Sequence, residues 1–83
     1  MTTAIVAQTR ERAALIAHEL GIDNPVIFSA SMERMYEGLR AHRVLIDTEA
    51  NISARFLNVI LKNAAKMPPR GAIVRRVSLT AAI

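Results

Sequence analysis

Four short apolar, β-rich runs alternate with three helical patterns along the chain, and this alternation restricts the fold more than any other feature. Strands separated by helices of about 10 to 16 residues favour right-handed crossovers and a parallel sheet. A chain of 83 residues has room for one domain. We therefore predict a single α/β domain over residues 1–83, with a small four-stranded, mainly parallel, Rossmann-like sheet and three helices in the order β-α-β-α-β-α-β. The predicted strands are Ala4–Ala7, Val26–Phe28, Arg43–Asp47 and Ile73–Thr80.

The helices are recognised by apolar residues at i, i+3, i+4 and i+7, the spacing that places them on one face. The third helix is predicted over residues 52–67, because Pro68-Pro69 cannot continue it. The second helix is expected to be short, since Gly38 weakens it. The candidate N-caps are Thr9, Ser31 and either Thr48 or Asn51. The predicted core stripes of the first two helices are Ala13, Ile16, Ala17 and Leu20, and Met32, Met35, Tyr36 and Leu39.

The last strand has a mixed pattern that is typical of a sheet edge. Apolar residues occupy one face of it and polar residues the other, but Arg75 interrupts the apolar side. Three helices cannot cover both faces of four strands evenly, so one face carries a single helix and leaves sheet that a second subunit can cover. Since 52% of this small chain is apolar, we expect it to self-associate as a homodimer.

Positive charge is concentrated in the last quarter of the sequence. Residues 1–61 hold six arginines and seven acidic residues, a net charge of −1, whereas residues 62–83 hold five basic residues and no acid, a net charge of +5. Such a local field attracts phosphates, acidic protein surfaces or anionic lipids. Arginine outnumbers lysine nine to two, a bias typical of bacterial or phage genomes. With no cysteine, no signal-peptide pattern and no apolar run of about 20 residues, we expect a cytoplasmic protein and no membrane contact.

The sequence lacks the common phosphate-binding and catalytic motifs. Neither GxGxxG nor GxxxxGK[ST] occurs, and the first strand-to-helix turn, residues 8–10, has no glycine. No nucleophile, base and orienting carboxylate fall together. Asp47 and Glu49 alone are too few to hold a metal ion. We therefore expect no enzymatic activity, no cofactor and no metal.

Polar residues follow the predicted strands, where open parallel sheets bind their ligands. A nucleotide or phosphate site at this rim is the alternative function, although helix N-caps require the same residue types at the same turns. The candidate rim residues are Thr9, Arg10, Ser29, Asp47 and Glu49.

The third helix carries two features that suggest binding. A polar stripe runs along it through Arg55, Lys62 and Lys66, and Arg70, Arg75 and Arg76 are candidates to extend it, which suits contact with nucleic-acid phosphates. The helix is also apolar over more than half of its circumference, which is more apolar surface than a single domain needs for its core. Its second apolar strip, the candidate protein interface, consists of Leu57, Leu61 and Ala65.

Residues 4–21, AIVAQTRERAALIAHELG, resemble the opening strand and helix of the second RecA-like domain of superfamily 2 helicases. Residues 43–55, RVLIDTEANISAR, are similar to a later strand of that domain. The resemblance implies phosphate contact by Thr9, Arg10 and Thr48. It does not extend to the arginine-finger segment of those helicases, so helicase activity is not implied.

Together these features predict a small non-enzymatic binding module. It is expected to self-associate and to contact a protein or a nucleic-acid backbone through helix 52–67 and the basic C-terminal segment. A subunit that works only inside a larger assembly is the other class left open.

Overall fold

The computed structural model describes residues 2–68 and 71–78, which form strands and helices in the predicted order. All four strands are parallel and lie in one sheet in the order β2-β1-β3-β4. The predicted α/β fold with Rossmann-like wiring is therefore confirmed. The elements are β1 (Thr3–Ala7), α1 (Arg10–Glu19), β2 (Val26–Ser29), α2 (Glu33–Tyr36), β3 (Arg43–Asp47), α3 (Ala54–Ala65) and β4 (Ile73–Val77).

Helices pack on both faces of the sheet, and alternate strand residues supply the two core layers. On one face α1 buries Ala13, Ile16 and Ala17 against β1, β2 and Leu45. On the other face α2 and α3 enclose a larger cluster with the opposite residues of β1, β2 and β3. The prediction that one face carries a single helix is confirmed.

Three aromatic rings form the centre of the larger layer. The ring of Tyr36 lies 4.9 Å from that of Phe28 and 5.7 Å from that of Phe56, between centroids. Burial raises the pKa of Tyr36 to about 12, because the charged phenolate is poorly solvated there. The buried amide of Asn63 donates hydrogen bonds from Nδ2 to the carbonyl oxygens of Tyr36 and Glu37, which ties α3 to the end of α2.

The first helix begins as predicted. The Thr9 Oγ1 accepts a hydrogen bond from the Arg12 N–H at 3.1 Å, so Thr9 is the N-cap. Gly21 follows the helix in the left-handed region, with φ +66°, and turns the chain away from the helix axis. The assignment of Leu20 to the core stripe is wrong, because this C-cap residue is 50% exposed beside sheet that α1 does not cover.

The second helix is short, as predicted, but its predicted start is wrong. Met32 occupies the N-cap position and makes no side-chain cap, while the Ser31 Oγ is hydrogen-bonded to the Ser29 Oγ at 3.0 Å. Because α2 has only one turn, Tyr36 is the one residue of this helix that is buried. Met35, also predicted to lie in the core, is consequently 71% exposed.

The third helix is shorter than the predicted range 52–67. Its N-cap is Ser53, whose Oγ accepts the Phe56 N–H at 3.1 Å, so neither Thr48 nor Asn51 caps it. Gly71, with φ +88°, then lets the chain pass close to the helix end, since a Cβ at this position would lie 3.1 Å from the carbonyl oxygen of Ala64.

The last strand lies at a sheet edge, as predicted, and pairs with β3. It ends at Val77 rather than at Thr80; Leu79 and Thr80 are outside the described residues. Within the described ranges, no helix is both long enough and apolar enough to span a bilayer.

Candidate protein-binding surface

The α1 face of the sheet is covered over only half of its width. Helix α1 packs mainly against β1 and β2 and reaches β3 at Leu45 and Asp47, so among the described residues no helix lies over β4 on this side. The uncovered half forms an open depression of about 460 Å³, which we call the sheet groove. Its lining residues are Leu20, Ile22, Arg43, Leu45, Ile73, Arg75 and Val77.

The sheet groove is apolar with two cations. Leu45 is buried in its floor, whereas Leu20 and Ile73 expose 50% and 57% of their surface. The Arg43 Nε donates to the Thr3 Oγ1 at 3.3 Å, and Arg75 is exposed. None of the described lining residues is acidic, so the groove combines exposed apolar surface with positive charge.

Strand register explains why these residues meet. Arg43 is paired with Ile73, and Leu45 with Arg75. Alternate residues of a strand point to the same face, so positions 43, 45 and 47 of β3 lie beside positions 73, 75 and 77 of β4. The residues that follow α1 form one side of the groove, because the turn at Gly21 directs Ile22 back toward the sheet.

The predicted rim residues lie at the carboxyl ends of the strands, but most of their polar groups are already engaged by neighbouring residues. Asp47 is buried at 1% exposure, and its Oδ2 accepts a hydrogen bond from the Arg12 Nε at 3.0 Å. The Arg12 Nη2 also donates to the Glu49 Oε2 at 2.7 Å, and the Glu49 N–H donates to the Asp47 Oδ1 at 3.2 Å. One guanidinium thus faces two carboxylates. Such a cluster does not favour an added phosphate.

A hydrogen bond also crosses the rim at the point where open parallel sheets usually bind their ligands. The chain leaves β1 toward one edge and β3 toward the other, so the switch point lies between their carboxyl ends. The Gln8 Oε1 accepts the Asn51 N–H at 2.7 Å across this gap. Arg10 is exposed nearer to β2, and Ser29 pairs with Ser31. Groups of three or more residues suited to a metal ion are absent from the described residues.

The predicted interface strip on α3 is only partly accessible. Leu57 is half-buried and packs against the larger core layer. Leu61 is 48% exposed and Ala65 is exposed. The strip therefore has one large exposed apolar side chain, Leu61, whereas the sheet groove has two, Leu20 and Ile73.

The predicted basic stripe is divided between two faces of the molecule. Lys62 is exposed on α3 and Lys66 is exposed at the C-cap of that helix, and Arg76 lies on the sheet face that α3 covers. Arg75 points to the opposite face, into the sheet groove, because consecutive strand residues alternate. The Arg55 Nε contacts the Glu33 Oε2 at 3.0 Å, and Arg70 is outside the described residues.

Comparisons with protein families, curated proteins and solved structures found no match to this chain. The likeness of residues 4–21 and 43–55 to helicases stays a sequence resemblance.

Sequence reasoning missed two parts of this surface. Arg12 gives no signal in the sequence, because its partners Asp47 and Glu49 come beside it only when the crossover from β2 through α2 places β3 next to β1. For the sheet groove, the sequence predicted only that part of the face with a single helix is uncovered, and it did not indicate which residues line that part. The interruption of the β4 apolar pattern by Arg75 was the one signal that pointed to its position.

Proposed function

We propose that the chain is a small non-enzymatic module that acts in the cytoplasm by docking on another polypeptide through the sheet groove. The observation that carries the proposal is the uncovered half of the sheet, where Leu20 and Ile73 are half-exposed beside the buried Leu45. Fully burying such a side chain stabilises by about 1.5–3 kcal/mol, so covering the exposed half of each contributes about 1 kcal/mol.

The geometry favours the sheet groove over the other candidate surfaces. The α3 strip presents Leu61 as its only large exposed side chain among the described residues. At the rim, the carboxylates of Asp47 and Glu49 are paired with Arg12, and the Ser29 hydroxyl is hydrogen-bonded to Ser31. The rim hypothesis of nucleotide or phosphate binding therefore has less support than protein docking.

Photo-crosslinking tests the proposal directly. A photoreactive amino acid is placed at Ile73, in the groove, or at Met35, which is 71% exposed on α2 and outside the groove. Each purified chain is irradiated alone and in an extract of its native cells. We expect adducts with a polypeptide from position 73 and none from position 35, and we expect Leu20→Asp to abolish them. Equal labelling at both positions, or none at position 73, would contradict docking in the groove.

Contact with a nucleic-acid backbone is the second candidate. It is favoured by Lys62, which is exposed on α3, and by Lys66, which is exposed four residues later at the C-cap of the same helix. The same face of the sheet carries Arg76. This surface is separate from the sheet groove, so the two functions are compatible.

A further inference from the structure

We infer that the occupant of the sheet groove is helix α1 of a second copy of this chain. The inference rests on the proposed function, because it names the partner of the same groove. The resulting assembly is a two-fold dimer in which each α1 covers the β3–β4 half of the partner's sheet.

One row of residues on the outward side of α1 has the composition that the groove requires. Glu11, Leu15 and Glu19 follow one another at i, i+4 and i+8, which places them along one side of a helix. All three are exposed, and Leu15 exposes 45% of its surface. The buried side of the helix is formed by Ala13, Ile16 and Ala17. We call the exposed row the α1 ridge.

The charges of the α1 ridge and of the sheet groove are opposite. The ridge presents a leucine between two carboxylates, whereas the groove presents apolar residues with two guanidinium groups, on Arg43 and Arg75. The dimensions also agree. Residues 11 to 19 of a helix span about 12 Å, and the five residues of β3 span about 13 Å between their ends. Complementary charge of this kind determines which partner binds and in which register.

The positions of ridge and groove permit a closed dimer. Both lie on the α1 face of the sheet, side by side. A two-fold rotation therefore places each ridge over the other copy's groove in the same interface, as a self-complementary contact requires. The two α1 helices then form a shared layer between two sheets. Strand addition at the β4 edge is a poorer route, because Arg75 and Arg76 on that edge disfavour pairing with another strand.

Charge reversal tests the inference with the full chain. One variant carries Glu11→Arg and Glu19→Arg on the ridge, and the other carries Arg75→Glu in the groove. Analytical ultracentrifugation over a range of concentrations is expected to show a dimer for the unaltered chain and at least about tenfold weaker dimerisation for each variant alone. Mixing the two variants is expected to recover dimers, since the unaltered ridge of one then meets the unaltered groove of the other. Recovery also shows that both variants are folded.

Leu61→Asp on α3 is the matched control, because it alters a half-exposed leucine outside the groove. It should leave the dimer unchanged. Dissociation by Leu61→Asp with no effect of the charge reversals would place the interface on α3 and overturn the inference. Unaltered mass in all variants, or a monomer at every concentration of the unaltered chain, would also overturn it.

The crosslinking experiment separates this inference from the proposed function. A monomeric purified chain whose position 73 still labels a different polypeptide in the extract, dependent on Leu20, refutes self-association and retains protein docking. A monomer that labels nothing at position 73 refutes both.

Discussion

Arg12 holds together two segments that are 35 residues apart in the sequence, and its removal should be costly. Its guanidinium is the charged partner of Asp47, which is 1% exposed at the carboxyl end of β3. Taking away the partly exposed cation leaves the buried carboxylate poorly solvated and without its ion-pair partner. We expect Arg12→Ala to lower the free energy of unfolding by about 3 kcal/mol, measured by urea denaturation.

Glu49→Gln is the matched control for this prediction. Glu49 is 69% exposed, so its contact with Arg12 is screened by water and should contribute less than about 1 kcal/mol. The Glu49 backbone N–H still donates to the Asp47 Oδ1 in this variant. Equal losses in Arg12→Ala and Glu49→Gln would show that burial of Asp47 is not what makes the pair important.

At the scale of single elements, the start of α3 provides a test of capping. Ser53 has extended backbone angles and its Oγ reaches the Phe56 N–H. Replacing a serine N-cap by alanine removes that acceptor and costs about 1 kcal/mol. We expect Ser53→Ala to lower the thermal midpoint by several degrees in a domain of this size. Thr48→Ala, at a position that does not cap α3, should change it by much less, and the reverse order would contradict the assignment.

Periodicity predicted the kind and order of these elements but not their ends. Strands buried on both faces, such as β1 and β3, leave continuous apolar runs that are easily recognised. Three residues suitable for capping stand within six positions before α3, Thr48, Asn51 and Ser53, and composition alone does not choose between them. Spacing placed Leu20 on the buried side of α1, but spacing does not report that the helix ends at Glu19 and leaves Leu20 beside uncovered sheet.

The candidate binding surface was less predictable than the fold, for a physical reason. The groove depends on strand order, because β4 must lie next to β3 and beyond the reach of α1. No local pattern encodes that arrangement. The predicted α3 strip appears in the sequence as an excess of apolar side chains. In the folded chain, however, Leu57 packs against the larger core layer. Apolar excess in a sequence therefore does not distinguish a second core contact from a binding surface.

On the scale of the whole molecule, folding places the basic residues of the C-terminal segment on two opposite faces of the sheet. Alternation along β4 sends Arg75 to the groove and Arg76 to the α3 side, where Lys62 and Lys66 are also exposed. A nucleic-acid backbone bound on the α3 side of the sheet therefore has three of the described, exposed basic residues available, Lys62, Lys66 and Arg76, and not Arg75. Arg55 is already engaged by Glu33.

This division predicts a specific salt dependence if the second candidate function holds. Each neutralised phosphate contributes about −0.9 to the slope of log K against log salt concentration for duplex DNA, so Lys62, Lys66 and Arg76 together give a slope of about −3. Lys62→Ala or Lys66→Ala should reduce the slope by about one, whereas Arg75→Ala should leave it unchanged, in fluorescence anisotropy titrations at several salt concentrations. An equal response to Arg75→Ala would mean that the duplex contacts the groove side of the sheet. Absence of binding at low salt would remove nucleic acid as a partner, and protein docking through the opposite face would be unaffected by that result.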